Sequence, residues 1–221
     1  MKVYLIPGLG YNCSIFERLN FGNYDVTGIN WIEPKQNEHI HEYAIRLFED
    51  LPRNGEKIVL VGHSFGGIIS QEIATEIPIE KIILISSVKS EIEIPLSFKL
   101  IKRFSLFKFF TKELSIKTVK YWGSAHGFQD REDQELFRNM VGEQSNTYLQ
   151  WALRALSEWK APILHEETKV FQIHGTKDKT FPIGLIKNPD AVIENGNHIM
   201  LFKQPDKIEK IVNHEIKKLG R

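Results

Sequence analysis

Residues 57–67 read KIVLVGHSFGG, and this stretch decides the fold. After Lys57, residues 58–61 form a short apolar run, which is typical of a strand buried on both faces. Gly62 ends the run, and isoleucines then recur at helical spacing over residues 68–77, before Pro78. The stretch therefore predicts a buried strand, a tight turn at residues 62–67 and a helix directly after it.

The same alternation of apolar runs and helical stretches continues on both sides of this unit. Further strands are predicted at residues 3–6, 24–32, 81–87, 170–173 and 191–193. Further helices are predicted at residues 15–19, at residues 37–51, and from about Pro205 to residue 219. Pro52 would end the second of these. Strands separated by helices of this length imply an α/β fold, with a mostly parallel sheet of about six strands between two helical layers.

The alternation breaks between residues 89 and 164, where helical stretches occur without a convincing strand. We therefore predict a core of residues 1–88 and 165–221, interrupted by a helical insertion of residues 89–164. Four aromatic residues of this insertion could line a pocket, although core packing is the favoured role of each: Trp122, Phe128, Trp151 and Trp159.

Residues 96–114 of the insertion combine Leu, Ile and Phe with five basic residues between 99 and 112. Leu96, Leu100, Arg103 and Phe107 would share one helical face, and Phe104 and Phe110 would extend it. We expect this helix to pack over the site with its lysines in solvent. Contact of residues 96–114 with a lipid surface is the less favoured alternative.

Composition excludes several classes of protein. A chain of 221 residues suits one well-buried domain, and a net charge of +1 provides no field for a nucleic-acid partner. The single cysteine, Cys13, excludes an internal disulfide. No stretch approaches the roughly 18 apolar residues of a membrane span, and residues 1–9 lack the features of a signal peptide. We expect a cytoplasmic protein, and the sequence leaves its oligomeric state open.

The chemistry is expected at Ser64, which has Gly62 two residues before it and Gly66 two residues after it. Glycines at these positions allow a strained turn that lifts the serine hydroxyl above the edge of the sheet. A nucleotide-binding turn is less favoured, because G-x-G-x-x-G is absent and the next strand ends in Ser86 and Ser87 rather than in an acidic residue.

A nucleophilic serine needs a base, and the base needs a third group to orient it. Asp178 and His198 each follow a predicted strand and come after the insertion in the order acid, then histidine. We predict them as acid and base, although either residue alone is equally consistent with a solvated turn. His174 is the reserve histidine, and Glu91 the reserve acid. Five other histidines are interpreted as structural or surface residues: His39, His41, His63, His165 and His214.

An oxyanion formed during acyl transfer needs backbone N–H donors. The amide of Phe65 is one candidate, because it lies at the start of a helix, where the helix dipole favours negative charge. Residues 7–10, with sequence PGLG, follow the first strand and would supply the second donor, for which we choose Leu9. Taken alone, residues 7–10 are better interpreted as an ordinary turn.

Together these residues resemble the α/β-hydrolase superfamily over nearly the whole chain. Residues 62–67 resemble its nucleophile elbow, Asp178 and His198 match the places of its acid and base, and residues 7–10 resemble its H-G-x-G loop with proline in place of histidine. The resemblance implies a three-layer αβα fold in which residues 89–164 form a helical cap. It also implies a compact member that starts at the family's third strand.

The resemblance also carries an expected activity. Family members that act as dehalogenases or epoxide hydrolases have aspartate in place of Ser64, and dienelactone hydrolase-like members have cysteine, so serine implies acyl chemistry. Esters are the commonest case, which implies a carboxylic-ester hydrolase for small or medium acyl substrates, without a metal or organic cofactor. Thioester, amide and C–C bond hydrolysis by the same residues stay open. A non-catalytic ligand-binding protein is disfavoured, because it would have no reason to keep all three residues.

Overall fold

The computed structural model describes residues 1–49, 51 and 55–220; Pro52, predicted to close the first long helix, lies outside them. The described residues form one six-stranded sheet in the order β2-β1-β3-β4-β5-β6, and every pair of neighbouring strands is parallel. The strands are β1 Lys2–Ile6, β2 Asp25–Gly28, β3 Ile58–His63, β4 Lys81–Ile85, β5 Lys169–Gly175 and β6 Ala191–Ile193. The predicted parallel sheet of about six strands is confirmed.

The centre of the sheet is also the centre of the core. Every residue of β3 and β4 is buried, as expected for strands that are covered by helices on both faces. The edge strand β2 is shorter than the predicted strand at residues 24–32. Its register with β1 runs from Lys2↔Asp25 to Leu5↔Gly28, and Ile29 N–H donates one further hydrogen bond to Leu5 O at 2.9 Å. Strand β1 ends at Ile6, so the later residues of the predicted strand extend past the end of their neighbour.

Eight α-helices flank this sheet in the described residues. They are α1 Ile40–Glu49, α2 Phe65–Ile73, α3 Leu96–Arg103, α4 Lys112–His126, α5 Arg131–Gly142, α6 Asn146–Glu158, α7 Met200–Lys203 and α8 Pro205–Lys217. Helix α8 is fixed to the sheet by a buried ion pair, in which Lys81 Nζ of β4 lies 2.8 Å from Glu215 Oε2. None of the helices in the described ranges has the length and apolar composition required to span a lipid bilayer.

Helices α3–α6 all lie between β4 and β5, and the described residues of this stretch contain no strand. The division of the chain into a core and a cap stays a prediction. The predicted helical face of residues 96–107 is wrong in one respect, since Phe107 does not share a face with Leu96. Helix α3 ends at Arg103, Ser105 adopts a left-handed φ of 51°, and a separate 3₁₀ helix follows at Leu106–Phe109.

The turn between β3 and α2 has no room for a side chain at Gly62 or Gly66. A Cβ atom on Gly66 would lie 2.1 Å from the carbonyl oxygen of Ile6 and 2.4 Å from that of Pro7. A Cβ atom on Gly62 would lie 2.5 Å from Cα of Gly67. Gly66 therefore lets the start of α2 pack directly on the backbone at the end of β1, and Gly62 lets it pack on the end of β3.

We expect Gly66→Ala to destabilise the fold, because the new methyl group meets backbone atoms that cannot rotate away. The cost should be about 3 kcal/mol, at the upper end of the usual range for overpacking. Urea denaturation measures it. Gly142→Ala is the matched control: no atom lies within 4 Å of its added Cβ, so stability should stay within about 1 kcal/mol of the unmodified protein. Equal stability of the two variants would contradict the packing described for the turn.

Candidate active site

Ser64 occupies the strained turn between β3 and α2. Its backbone has φ 51° and ψ −120°, outside the regions that L-residues normally adopt, which costs of order 1–3 kcal/mol. Three hydrogen bonds hold it there: Ser64 N–H donates to Ile85 O at 3.0 Å, and Ser64 O accepts from Gly67 N–H at 3.0 Å and from Ser87 Oγ–H at 2.6 Å. The surrounding structure thus fixes the serine in the conformation expected of a nucleophile elbow.

The structure brings together the three residues predicted for catalysis. Ser64 Oγ lies 2.9 Å from His198 Nε2, and His198 Nδ1 lies 2.9 Å from Asp178 Oδ2. Asp178 follows β5 and His198 follows β6, so the carboxyl ends of three parallel strands supply the three side chains. All three are buried. The arrangement can pass a proton from the serine hydroxyl to an imidazole that a carboxylate orients.

Asp178 is held by four groups. Its Oδ1 accepts hydrogen bonds from the amides of Thr180 at 2.8 Å and Phe181 at 3.0 Å, and its Oδ2 faces His198, with His174 Nε2 at 3.5 Å. Burial alone would raise the pKa of this carboxyl, but attraction to His198 and the hydrogen bond from it bring the pKa below its usual value. Asp178 is therefore ionised at neutral pH and can stabilise an imidazolium.

The two predicted oxyanion donors lie at the same end of the sheet. Phe65 is the first residue of α2, and Leu9 lies on the loop that Gly66 allows α2 to approach. The carbonyl of Gly8 accepts from Tyr11 N–H at 3.0 Å and from Trp31 Nε1–H at 3.3 Å, which fixes the loop through its oxygens. In the described part of the chain, neither the Phe65 nor the Leu9 amide has an assigned acceptor. Their role as donors stays a prediction.

A cavity of about 250 Å³ opens at Ser64 and His198. Its wall is mostly apolar and is formed by Leu9, Gly10, Tyr11, Phe98, Phe110, Trp122, Phe137, Val141, Leu153 and Leu156. A wider depression of about 750 Å³ beside α1 is lined mainly by polar and charged side chains and lies away from Ser64. The smaller cavity is therefore the candidate binding site.

Residues 3–211 match the model of the alpha/beta hydrolase family. The chain belongs to this family. The match covers almost the whole chain, including the strained turn and the two residues hydrogen-bonded in series to Ser64. It confirms the resemblance inferred from the sequence and the predicted fold class.

Solved structures of other proteins share the fold of this alpha/beta hydrolase family member. A carboxylesterase from Nitrososphaera gargenis is 22% identical, with a TM-score of 0.71 over 99% of this chain and 90% of its own. An esterase from Exiguobacterium antarcticum is 16% identical, with a TM-score of 0.70 over 98% and 92%. An epoxide hydrolase from Bacillus megaterium is 14% identical, with a TM-score of 0.71 over 98% and 93%. No curated protein matches the chain.

Two further buried histidines support the three central residues of this family member. The Nε2 of His63 lies 2.9 Å from the backbone oxygen of His198, and the Nε2 of His174 lies 2.7 Å from that of Phe181. Burial, with the nearby charge of His198, lowers the pKa of His63 to about 3. His63 is therefore neutral and donates its Nε2–H. The structure thus assigns His63 a structural place, as predicted, and places the reserve residue His174 behind Asp178.

We expect His63 to make stability depend on pH. Its pKa is 6.5 when unfolded and about 3 when folded, so acidification protonates the unfolded chain first and stability falls as the pH drops from about 6.5 to 3. The loss should be about 2 kcal/mol at pH 5. His63→Gln keeps an N–H donor for His198 but cannot titrate. Urea denaturation at pH 7.5 and 5 should show a smaller acid-induced loss in this variant; equal losses would contradict the assignment.

His126 lines the cavity although no pattern in the sequence indicates it as a site residue. Its Nδ1 is hydrogen-bonded to the hydroxyl of Thr180 at 2.8 Å, and both residues line the cavity beside His198. Burial, together with the charge of His198, lowers the pKa of His126. His126 ends α4, and 54 residues separate it from Thr180, so no local motif signals this pair. Together they form a polar spot in an otherwise apolar wall.

The four aromatic residues named from the sequence divide between two roles. Trp122 lines the cavity. Phe128 is fully buried, Trp151 packs against Tyr43 with ring centroids 4.1 Å apart and ring planes tilted by 35°, and Trp159 Nε1–H donates to Glu72 at 2.7 Å. Core packing is thus the role of the other three. Among the residues that the structure describes, no group of three or more His, Cys, Asp or Glu side chains could hold a metal ion.

Proposed function

We propose that this protein is a serine hydrolase that cleaves carboxylic esters of small or medium acyl groups through an acyl-enzyme intermediate. One observation carries the proposal. Asp178, His198 and Ser64 form a continuous series of 2.9 Å hydrogen bonds that ends at the wall of an apolar cavity. A binding protein would need the cavity but not this series of hydrogen bonds, so non-catalytic ligand binding is the weaker proposal.

In the first half of the reaction, Ser64 Oγ attacks the carbonyl carbon of the ester while its proton passes to His198 Nε2. The electron pair of the carbonyl moves to oxygen, where the amides of Leu9 and Phe65 donate hydrogen bonds to the new negative charge. Asp178 stays ionised and stabilises the imidazolium through Nδ1–H. The intermediate then collapses: the alcohol leaves with the proton from His198, and the acyl group remains on Ser64.

In the second half, a water molecule replaces the alcohol. His198 removes one proton from this water, and the hydroxide attacks the acyl carbon of the acyl-enzyme. The second intermediate uses the same two amide donors, and its collapse returns the proton to Ser64 Oγ and releases the carboxylic acid.

The cavity supports apolar acyl groups of limited size. Its volume of about 250 Å³ lies just below the range of roughly 300–1,000 Å³ that is usual for small-molecule sites. Apolar side chains dominate its wall, and burial of each CH₂ group of an acyl chain contributes about 0.8 kcal/mol to binding. The esterase and carboxylesterase with the same fold also favour ester chemistry, whereas the epoxide hydrolase indicates that this fold accommodates other reactions.

Three butyryl substrates with different leaving groups test the reaction class: p-nitrophenyl butyrate, the matching thioester and butyryl p-nitroanilide. We expect the highest kcat/KM with the oxygen ester, and a burst of p-nitrophenol equal to the enzyme concentration if deacylation is slow. Esters from acetyl to decanoyl should then show a maximum at a short or medium chain. A higher kcat/KM for the thioester or the anilide would transfer the proposal to that class, and no turnover of any substrate would contradict it.

A further inference from the structure

Residues 96–112 present an apolar surface to solvent. Five large apolar side chains of this segment are exposed: Leu96, Leu100, Phe104, Leu106 and Phe109. Their exposed fractions lie between 46% for Leu106 and 72% for Leu96. No residue of α3 or of the 3₁₀ helix at Leu106–Phe109 is buried. Exposed apolar side chains grouped in this way mark interaction surfaces, whereas single ones are ordinary. We call these five residues, together with Lys99, Lys102, Arg103, Lys108 and Lys112, the basic apolar patch.

The same segment also faces the cavity. Phe98, between Leu96 and Leu100, and Phe110, directly after Phe109, are partly buried and line the cavity. Phe98 stacks against Phe181 with ring centroids 5.9 Å apart. Two residues along a helix turn the side-chain direction by about 200°, which explains why Phe98 points inward while Leu96 and Leu100 point outward. One short segment thus connects the solvent surface with the wall of the candidate active site.

The charges of the segment all have one sign. Residues 96–112 contain five basic residues and no acidic residue: Lys99, Lys102, Arg103, Lys108 and Lys112. In the described part of the chain, none of the five forms an ion pair. The whole chain has 29 basic and 28 acidic residues, so the remainder has 24 against 28. The positive charge of this nearly neutral protein is therefore concentrated where its apolar side chains are exposed.

We propose that the basic apolar patch docks the protein on the surface of an anionic lipid membrane, from which apolar acyl substrates reach the cavity. Amphipathic helices of this composition lie in the plane of the interface, with apolar side chains between the headgroups and basic side chains at the phosphates. A second copy of the chain is a poorer occupant, because it would bring five positive charges against five. Docking rests on exposure and charge; the supply of substrate rests on the proposed function.

Sedimentation with vesicles tests the docking directly. The full chain is mixed with sucrose-loaded vesicles of phosphatidylcholine alone or with 30% phosphatidylserine, at 20 mM and 300 mM NaCl. We expect co-sedimentation with the anionic vesicles at 20 mM NaCl, strong reduction at 300 mM NaCl, and little binding to neutral vesicles. Absence of binding to anionic vesicles at low salt would overturn the proposal, as would equal binding to both compositions.

Paired variants separate the patch from the rest of the surface. Each basic residue near an anionic surface strengthens partitioning about fivefold, so the double variant Lys102→Gln, Arg103→Gln should weaken it about 25-fold. The matched control is the double variant Lys210→Gln, Lys217→Gln, because both lysines lie on α8 and are also exposed. Likewise, Leu100→Ser with Phe104→Ser should weaken partitioning, whereas Ile163→Ser, at a position 95% exposed but outside the patch, should not. Equal effects of patch and control variants would overturn the proposal.

Two further measurements distinguish docking from its competitors. None of the four substituted patch residues lines the cavity, so the patch variants should hydrolyse soluble p-nitrophenyl butyrate at the unmodified rate. Salt-dependent vesicle binding by a protein that hydrolyses no ester would leave docking intact and contradict the proposed function. Normal hydrolysis without vesicle binding would leave the proposed function intact and contradict docking. If size-exclusion chromatography shows a stable dimer and the patch variants are monomeric, the occupant of the patch is a second copy of the chain, and the membrane proposal is overturned.

Discussion

Replacing Ser64 with alanine is expected to lower kcat for p-nitrophenyl butyrate about a million-fold, since loss of a catalytic serine nucleophile has an effect of this size. The substitution removes Ser64 Oγ, the atom hydrogen-bonded to His198 Nε2 at 2.9 Å. The strained backbone, the cavity wall and the two candidate oxyanion donors should remain. Residual hydrolysis should therefore stay roughly 10³–10⁴-fold above the uncatalysed reaction. Stopped-flow and end-point assays at pH 7.5 cover this range.

A second buried serine provides the control. Ser86 lies at the end of the neighbouring strand β4, and its Oγ has no hydrogen-bond partner among the described residues. Ser86→Ala removes the same atom from a similar environment, so its turnover should stay close to that of the unmodified enzyme. Equal turnover of Ser64→Ala and the unmodified enzyme would show that Ser64 is not the nucleophile. An equal loss in both variants would indicate that buried serines near this edge act through stability.

Replacing Asp178 with asparagine is expected to lower kcat about 10⁴-fold. The amides of Thr180 and Phe181 donate to Oδ1, so an asparagine must keep its carbonyl oxygen there and turn its NH₂ group toward His198. His198 Nδ1 would then have to accept a hydrogen bond, which leaves the ring proton on Nε2. In that tautomer His198 cannot accept the proton of Ser64. The loss should therefore appear in kcat with the native fold retained.

Glu91→Gln is the matched control, because Glu91 is the other acid considered from the sequence. Its Oε2 accepts from the backbone amide of Ala161 at 3.2 Å, and it has no contact with His198. Its turnover should change less than threefold, or about 0.7 kcal/mol in activation free energy. Near-normal turnover of Asp178→Asn combined with a severe loss in Glu91→Gln would transfer the role of the acid to Glu91.

The sheet was predictable because the apolar pattern of each strand, read from its own residues, shows that the strand is buried. Residues 58–61 and 82–85 are continuous apolar runs, and the structure places them in the two fully buried central strands β3 and β4. The turn was predictable for a similar reason, because Gly62 and Gly66 lack a Cβ atom and glycines at these positions indicate a tight turn. The extent of edge strand β2 was not, because it depends on where its partner β1 ends rather than on the residues of β2.

The residues that line the cavity were less predictable than Ser64, Asp178 and His198. Ser64, Asp178 and His198 each follow a strand, so their meeting at one edge follows from parallel topology. His126 and Thr180 meet where the end of α4 lies against the loop after β5, and no spacing in the sequence indicates this contact. The segment at residues 96–110 was expected to lie over the site with its lysines in solvent, but which of its apolar side chains face the site was not predictable. The structure turns Phe98 and Phe110 inward and leaves Leu96 and Leu100 exposed.

The central claim is that Ser64 is the nucleophile of a serine hydrolase, and a fluorophosphonate probe tests it most directly. The probe forms a covalent bond to an activated serine, and mass spectrometry of the digested protein locates the adduct. We predict one adduct per molecule, on the peptide that contains Ser64, with a matching loss of esterase activity and no labelling of Ser64→Ala. An adduct on another residue, or full loss of activity with Ser64 unmodified, would contradict this account.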